Sequence, residues 1–227
     1  MPRLHGYSRH LVPKPSDWGT REHITGCWFL QPQTDWQLPP ELADFLQAGP
    51  PPVYVGFGSM PAEDAQAQTA IVAEAIKRSG QRALLATGWG GLSGADLGSR
   101  VHVIEHAPHG WLFPRCAAVV HHGGAGTTHE GLRWGRPSIV CPVGVDQPFW
   151  GRRVNELGAG PPPILQKHLD AETLTAALEA VKDPAMTMRA EQAGAAMRAE
   201  GGAAEAAAVI GRFADETRAS RTIEVAS

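Results

Sequence analysis

Hydrophobic positions along this chain fall into two regimes. The first fifty residues show little periodicity and are broken by proline, at Val12-Pro13-Lys14-Pro15, Pro39-Pro40 and Pro50-Pro51-Pro52. They predict an extended approach segment with one short strand, Ile24 to Phe29, and one short helix, Pro40 to Gln47, bounded by prolines. From Val53 onward, short apolar runs alternate with amphipathic stretches. Strands are predicted at Val53–Phe57, Arg82–Ala86, Val101–Ile104, Ala117–His121 and Ser138–Cys141. A helix is predicted over 63–79, with Ile71, Val72, Ala75 and Ile76 on one face, and others from about Thr127 to Trp134 and Gln147 to Leu157. Three alanine-rich helices over roughly 170–182, 184–199 and 203–218 close the chain, followed by a frayed tail.

Strands separated by helices predict an α/β fold, a Rossmann-like parallel sheet with helices on both faces. The expected organisation is an approach segment or linker over 1–50, one domain over 51–219 and a tail over 220–227.

Composition narrows the function classes. With 227 residues, 43% hydrophobic and 19% charged, the chain is not mainly disordered. A formal net charge of −3 offers no basic excess for a phosphate backbone, so no nucleic-acid partner is expected. The three cysteines, Cys27, Cys116 and Cys141, are widely spaced and sit among apolar neighbours. They read as small core residues in a reducing compartment. Met1 to Gly6 lacks an apolar signal-peptide region, and no apolar run approaches the roughly 18–20 residues that span a bilayer. A cytoplasmic protein without a transmembrane segment is expected.

In a doubly wound sheet, ligands bind beyond the carboxyl ends of the strands. Two glycine-rich turns stand there, Gly56-Phe57-Gly58-Ser59-Met60 and His121-His122-Gly123-Gly124-Ala125-Gly126-Thr127-Thr128. Small residues such as Gly124 and Gly126 let backbone N–H groups approach an anion, and a following helix N-terminus adds about half a positive charge. Ser59, Thr127 and Thr128 add hydroxyls. A diphosphate bridging both loops is the natural ligand. Neighbouring strand residues point to opposite faces, so at most one of His121 and His122 meets the ligand and the other is a hydrogen-bonded core histidine. His121, His122, His129 and Glu130 cluster in sequence, but their spacing matches no zinc pattern and the chain has no DxD-type carboxylate pair. No metal is expected.

Several residues carry two readings. Thr127-Thr128-His129-Glu130 has the form of a capping box, with Thr127 as N-cap, while Glu130 also suits ribose hydroxyls. Asp146 is either the N-cap of the helix opened by Asp146-Gln147-Pro148 or, with Gln147, a partner for vicinal sugar hydroxyls. The segment Glu105 to Phe113 follows the third strand of the sheet at the same end. Its backbone around His106, His109 and Gly110 can line a base pocket, and Trp111 is either core or pocket wall.

Taken together, Pro52 to Met60, Trp111-Leu112-Phe113-Pro114, His121 to Thr128 and Asp146 to Gly151 resemble the C-terminal half of GT-B glycosyltransferases. The likeness is to the sterol 3-β-glucosyltransferase-like branch and to the antibiotic glycosyltransferases. Val12-Pro13-Lys14-Pro15 and Thr25-Gly26-Cys27-Trp28-Phe29 share it, so it covers nearly the whole chain. The resemblance implies a UDP- or dTDP-sugar donor, inversion at the anomeric carbon and no metal or other cofactor. By that resemblance Ser59 and Thr127 bind the diphosphate, His122 contacts the phosphates, and Asp146 with Gln147 holds the sugar. Glu130 matches the ribose-binding Glu of the related plant enzymes, and His106, His109 and Trp111 complete the nucleoside side. Two departures stand out. Val143-Gly144-Val145 replaces an aromatic-containing loop, and Gly110 stands where Asp is common.

The same resemblance implies an N-terminal acceptor-binding domain, in cis or in trans, which supplies the general base. The expected function is the donor half of an inverting hexosyltransferase acting on a lipid, sterol or natural-product hydroxyl. The alternatives are a stand-alone nucleotide-sugar-binding module and, less in keeping with the His-His-Gly-Gly-Ala-Gly-Thr-Thr pattern, a UDP-GlcNAc epimerase.

Overall fold

The computed structural model describes residues 1–30, 35–58, 65–87 and 97–225, with side chains to residue 218. The chain forms two compact units, one made of residues 1–30 with 196–227 and the other of residues 31–195. This grouping differs from the boundaries drawn at 50 and 219, because Leu42 belongs to the core of the second unit with Tyr54 and Phe113.

In the first unit, β1 (Arg3–His5) and β2 (Glu22–Ile24) pair in parallel, Arg3 opposite Glu22. The strand expected at Ile24 to Phe29 thus lies earlier, because Gly26, at φ 86°, turns the chain just after Ile24. Buried Glu22 forms an ion pair with Arg3 and accepts a 2.7 Å hydrogen bond from His5 Nε2. The His5 hydrogen bond, with Arg3 adding to it, holds its carboxyl below the usual carboxylate range.

The second unit opens with α1 (Pro40–Gln47), whose Pro39-Pro40 start and buried Leu42 match the expected helix. A five-stranded parallel sheet follows, built from β3 (Val53–Gly56), β4 (Ala83–Ala86), β5 (Val101–Ile104), β6 (Ala118–His121) and β7 (Ser138–Val140). The helices are α2 (Ala65–Ser79), the short α3 (His109–Leu112), α4 (Ala125–Arg133), α5 (Gln147–Glu156), α6 (Ala171–Ala180) and α7 (Pro184–Arg198). The last residues of α7 join the first unit, where α8 (Gly202–Val225) extends beyond the helix end expected at 218.

Strand order is β5-β4-β3-β6-β7, so the chain winds outward from β3 and returns to β3's other side at β6. Alternation along the strands explains the two-sided burial. Val53, Val55 and Val120 pack with Val72 and Ile76 of α2 and Leu174 and Leu178 of α6. Tyr54, Leu84 and Val119 pack on the other face with Leu42, Leu112 and Phe113. Burying side chains of this size stabilises by about 1.5–3 kcal/mol each. Because the chain leaves β3 toward β4 and leaves β6 toward β7, in opposite directions, the crevice between their loops is where such a sheet takes a ligand.

Candidate functional site

The two glycine-rich loops meet at that crevice. Gly56, the last residue of β3, is in register with His121 of β6. His122 leaves the strand and its ring lodges between the two loops. A Cβ on Gly58 would stand 2.9 Å from His122 Cε1, and one on Gly124 would stand 2.5 Å from His122 Nε2. Gly124 has an ordinary φ of −59°, so the close ring contact, not backbone freedom, is what demands glycine there. Gly123 is required twice over, with φ 91° and a would-be Cβ 2.6 Å from Val140 Cγ1.

Beside the ring lies a cavity of about 350 Å³, lined among others by Gly58, Glu105, His106, His109, His122 and Thr127. Four of the expected site residues, His106, His109, His122 and Thr127, therefore converge on one space. Gly124 supports the His122 ring, and Gly126 lies exposed in the first turn of α4. Ser59 lies outside the described residues. Trp111 and Glu130 do not line this cavity. Trp111 packs on Trp36, with ring centroids 4.8 Å apart, and carries the Arg115 guanidinium over its ring at 3.9 Å. Glu130 Oε1 accepts a 2.7 Å bond from the Trp134 indole, and Arg133 lies 3.5 Å from its other oxygen. A Cβ on Gly110 would come within 3.2 Å of Glu130 Oε1, so an Asp at that position would face a carboxylate.

The expected capping box does not form. Helix α4 begins at Ala125, ahead of Thr127, and its N-cap is Gly124 without a side-chain cap bond. The Thr128 hydroxyl instead bonds back to the Gly124 carbonyl at 2.9 Å. The first-turn N–H groups of α4 are thus left without a side-chain cap at the crevice, an arrangement suited to an anion. Asp146 occupies the N-cap position of α5 but makes no cap bond either. Its Oδ2 accepts a 2.7 Å hydrogen bond from the Trp150 indole. Gln147 is only 6% exposed, and its Oε1 accepts from Val143 N at 2.8 Å and Gly144 N at 3.4 Å.

The loop that Gln147 holds contains Val145 at φ 57°, the one non-glycine residue with positive φ among the described residues. That conformation costs a β-branched residue about 1–2 kcal/mol. Val145 is nonetheless 95% exposed.

The histidines divide as their faces require. His121 is fully buried and its Nδ1 accepts from the Gly123 amide at 3.0 Å, which leaves the proton on Nε2. The Tyr54 hydroxyl lies 3.3 Å from His109 Nε2, and the His109 ring stacks on Phe113 at 4.4 Å. Burial pushes His109 down to about 4 and His121 to about 3, with neighbouring imidazoles adding to both shifts. His122 is lowered as well, by burial, against the opposing pull of the Asp146 carboxylate. All three are neutral at pH 7. Among the described residues, no group of three or more His, Cys, Asp or Glu side chains is placed to hold a metal ion.

These burials carry an acid-stability prediction. A histidine in the unfolded chain titrates near 6.5. From pH 6.5 down to about 4, the unfolded chain therefore takes up protons that the folded chain refuses. Stability then falls as pH drops through this window, by about 1.4 kcal/mol per pH unit for each buried imidazole. Urea unfolding at pH 7 and pH 5 should show the loss, and His109→Gln should flatten it. An unchanged slope in the variant would place the acid sensitivity elsewhere.

Three contributors escaped the sequence reading: Tyr54, Val145 and Trp150. The spacing of Asp146 and Trp150, four apart at a helix start, was a usable signal. Nothing in a valine marks a left-handed position.

Comparison with known proteins places the chain in a family. Residues 92–212 match the family described as erythromycin biosynthesis protein CIII-like, C-terminal domain. A sterol 3-beta-glucosyltransferase of Arabidopsis thaliana is 43% identical over 205 residues, covering 89% of this chain and 32% of the relative. The O-mycaminosyltylonolide 6-deoxyallosyltransferase of Streptomyces fradiae is 40% identical, covering 97% of this chain and 52% of the relative. The chain thus spans about a third to a half of the length of these relatives. Among solved structures, the glycotransferase of kitacinnamycin superposes with a TM-score of 0.77 at 26% identity, over 93% of this chain and 54% of that one. Among the described residues, no helix is long and apolar enough to cross a membrane. With its parallel sheet, its paired glycine loops and a family match over more than half its length, the chain belongs to the erythromycin biosynthesis protein CIII-like C-terminal domain family of GT-B glycosyltransferases.

Proposed function

We propose that this chain is the donor-binding half of an inverting, metal-independent hexosyltransferase that works in the cytoplasm. Its donor is a UDP-sugar, with dTDP-sugar as the other base, and its acceptor is a hydroxyl of a lipid, sterol or natural product. The observation that carries this reading is the His122 ring fixed between Gly58 and Gly124, beside the uncapped first turn of α4. The names of the relatives, sterol 3-beta-glucosyltransferase and O-mycaminosyltylonolide 6-deoxyallosyltransferase, support the acceptor range.

In an inverting transfer, an acceptor oxygen forms a bond to the anomeric carbon as the bond to the diphosphate oxygen breaks. Negative charge grows on the departing diphosphate. The amides at Gly124–Thr127, the hydroxyls of Thr127 and Ser59, and one N–H of neutral His122 would meet that charge. Preorganised donors of this kind lower such barriers by about 3–4 kcal/mol each. The Asp146 carboxylate opposes the burial-driven lowering of the His122 pKa, and it would take the sugar hydroxyls. His106 and His109 would line the nucleoside side, with Trp111 and Glu130 farther out. The general base belongs to the N-terminal acceptor domain.

Calorimetric titration with UDP, dTDP and UDP-glucose, with and without EDTA, tests this assignment. Binding of at least one nucleotide, unaffected by EDTA, is expected. Asp146→Ala should weaken UDP-glucose about tenfold while changing UDP less than threefold, the loss of roughly one charge-assisted hydrogen bond. Equal losses for both ligands would reduce Asp146 to a local structural role, and binding abolished by EDTA would overturn metal independence.

A further inference from the structure

Two arginines of the first unit, Arg21 and Arg212, stand without an acid, and both open onto one cavity. Their neighbours in the unit are neutralised: Arg3 pairs with Glu22, Arg9 with Glu200 and Glu205, and Arg218 with Asp215. Among the described residues, the Arg21 and Arg212 side chains donate to no carboxylate and no carbonyl. We propose that this cavity is a second ligand site, built for a phosphate monoester carried on an apolar chain. The inference is independent of the donor-binding reading, since it uses none of that site's residues.

Backbone periodicity assembles the site. Glu22 buries its carboxylate against Arg3 and His5, so its chain neighbours Arg21 and His23 turn to the opposite face. The Arg21 carbonyl accepts from the Arg3 amide at 2.8 Å, which fixes the start of β2 beside β1. On α8, Val209, Arg212, Phe213 and Glu216 follow the i, i+3, i+4, i+7 spacing of a single helix face. All of these but Glu22 and Arg3 line the cavity, whose volume is about 320 Å³. Val209 is buried and Phe213 half-buried, while Arg21 and Arg212 are exposed, so an apolar floor carries a cationic rim. Glu216, the acid on the lining, has an interaction of its own and forms an ion pair with neither arginine. The chemistry of the ligand follows from charge and shape. A guanidinium presents a planar fork that fits phosphate or carboxylate oxygens in pairs. Two such forks match an anion with more than one charge, which a phosphate monoester approaches at pH 7 and a carboxylate does not. The floor adds nothing for a bare anion but gains from every methylene it covers.

Two sources share this chemistry, a soluble alkyl phosphate and a phosphatidic acid headgroup in a bilayer. Calorimetry with octyl phosphate, ethyl phosphate and octanoate reads the site directly. Octyl phosphate is expected to bind about tenfold tighter than ethyl phosphate, through its methylenes, and about tenfold tighter than octanoate, through its extra charge. Arg21→Gln and Arg212→Gln should each weaken octyl phosphate about tenfold, the loss of one hydrogen bond between charged groups. Thermal unfolding should stay near that of the parent, because both side chains are exposed. Cosedimentation with phosphatidylcholine vesicles, with and without phosphatidic acid, separates the sources. Pelleting that needs both phosphatidic acid and the two arginines assigns the bilayer lipid, whereas octyl phosphate binding without pelleting assigns a soluble ligand, and either result supports the site. The proposal fails if the parent chain does not bind octyl phosphate, or if the double variant binds it as the parent does. It also fails if ethyl phosphate or octanoate binds as tightly as octyl phosphate.

Discussion

Replacing His122 by alanine should weaken UDP binding by about ten- to a hundredfold, the range of one hydrogen bond to a charged group. The fold should survive, because the ring is held by loop backbone at Gly58 and Gly124 and sits outside the hydrophobic clusters. Its pKa is lowered by burial, so at pH 7 it offers one N–H and no formal charge until an anion arrives. Gly124→Ala supplies an independent check. The added methyl would stand 2.5 Å from His122 Nε2 and must displace the ring, while leaving every imidazole atom in the chain. Both variants should therefore lose UDP affinity with thermal unfolding near that of the parent. Undiminished UDP affinity in His122→Ala would remove the ring from the site.

The second large effect is on stability. Gly123→Ala is expected to cost about 2–5 kcal/mol, from about 1–2 for a side chain at φ 91° and about 1–3 for overpacking. The methyl would meet Val140 Cγ1 at 2.6 Å and the Gln147 carbonyl oxygen at 3.1 Å, and neither is the free end of a flexible side chain. The Gly123 amide also donates to His121 Nδ1, so its displacement would leave a buried imidazole short of its partner. A loss of this size is a large share of the roughly 5–15 kcal/mol that stabilises an ordinary domain. Urea unfolding measures it directly, and a loss below about 1 kcal/mol would mean that β7 and α5 move apart easily.

The sheet was legible because its strands are short apolar runs ended by glycine or a polar loop. Each of its five strands lies within one residue of the expected bounds. β1 was not legible, since its pairing with β2 is cemented by Arg3, His5 and a buried Glu22, which read as surface residues. The start of α4 was misplaced for a related reason. Thr127 and Glu130 spell a capping signal, but the strand-end turn at Gly123 launches the helix before that signal begins. Within the site, the gathering of His106, His109, His122 and Thr127 followed from topology, since each lies just past the carboxyl end of a strand. Tyr54 was hidden because its ring reads as core, and only its hydroxyl reaches His109. Gln147 was legible as a site residue, but its bonds to Val143 and Gly144 depend on a loop conformation that the sequence does not encode locally.

The composition of the first unit governs the order of events during synthesis. Residues 1–30 share their compact unit with residues 196–227, and the bond from the Arg9 amide to Glu200 closes a separation of 191 residues. The sheet unit lies wholly between them and can complete its core as it leaves the ribosome. At about 5–20 residues per second, the amino-terminal segment waits roughly ten to thirty seconds for its partner. Lesions at Glu200 or Gly26 would thus show themselves as slow maturation and exposure of an early segment to proteases, with the sheet already folded.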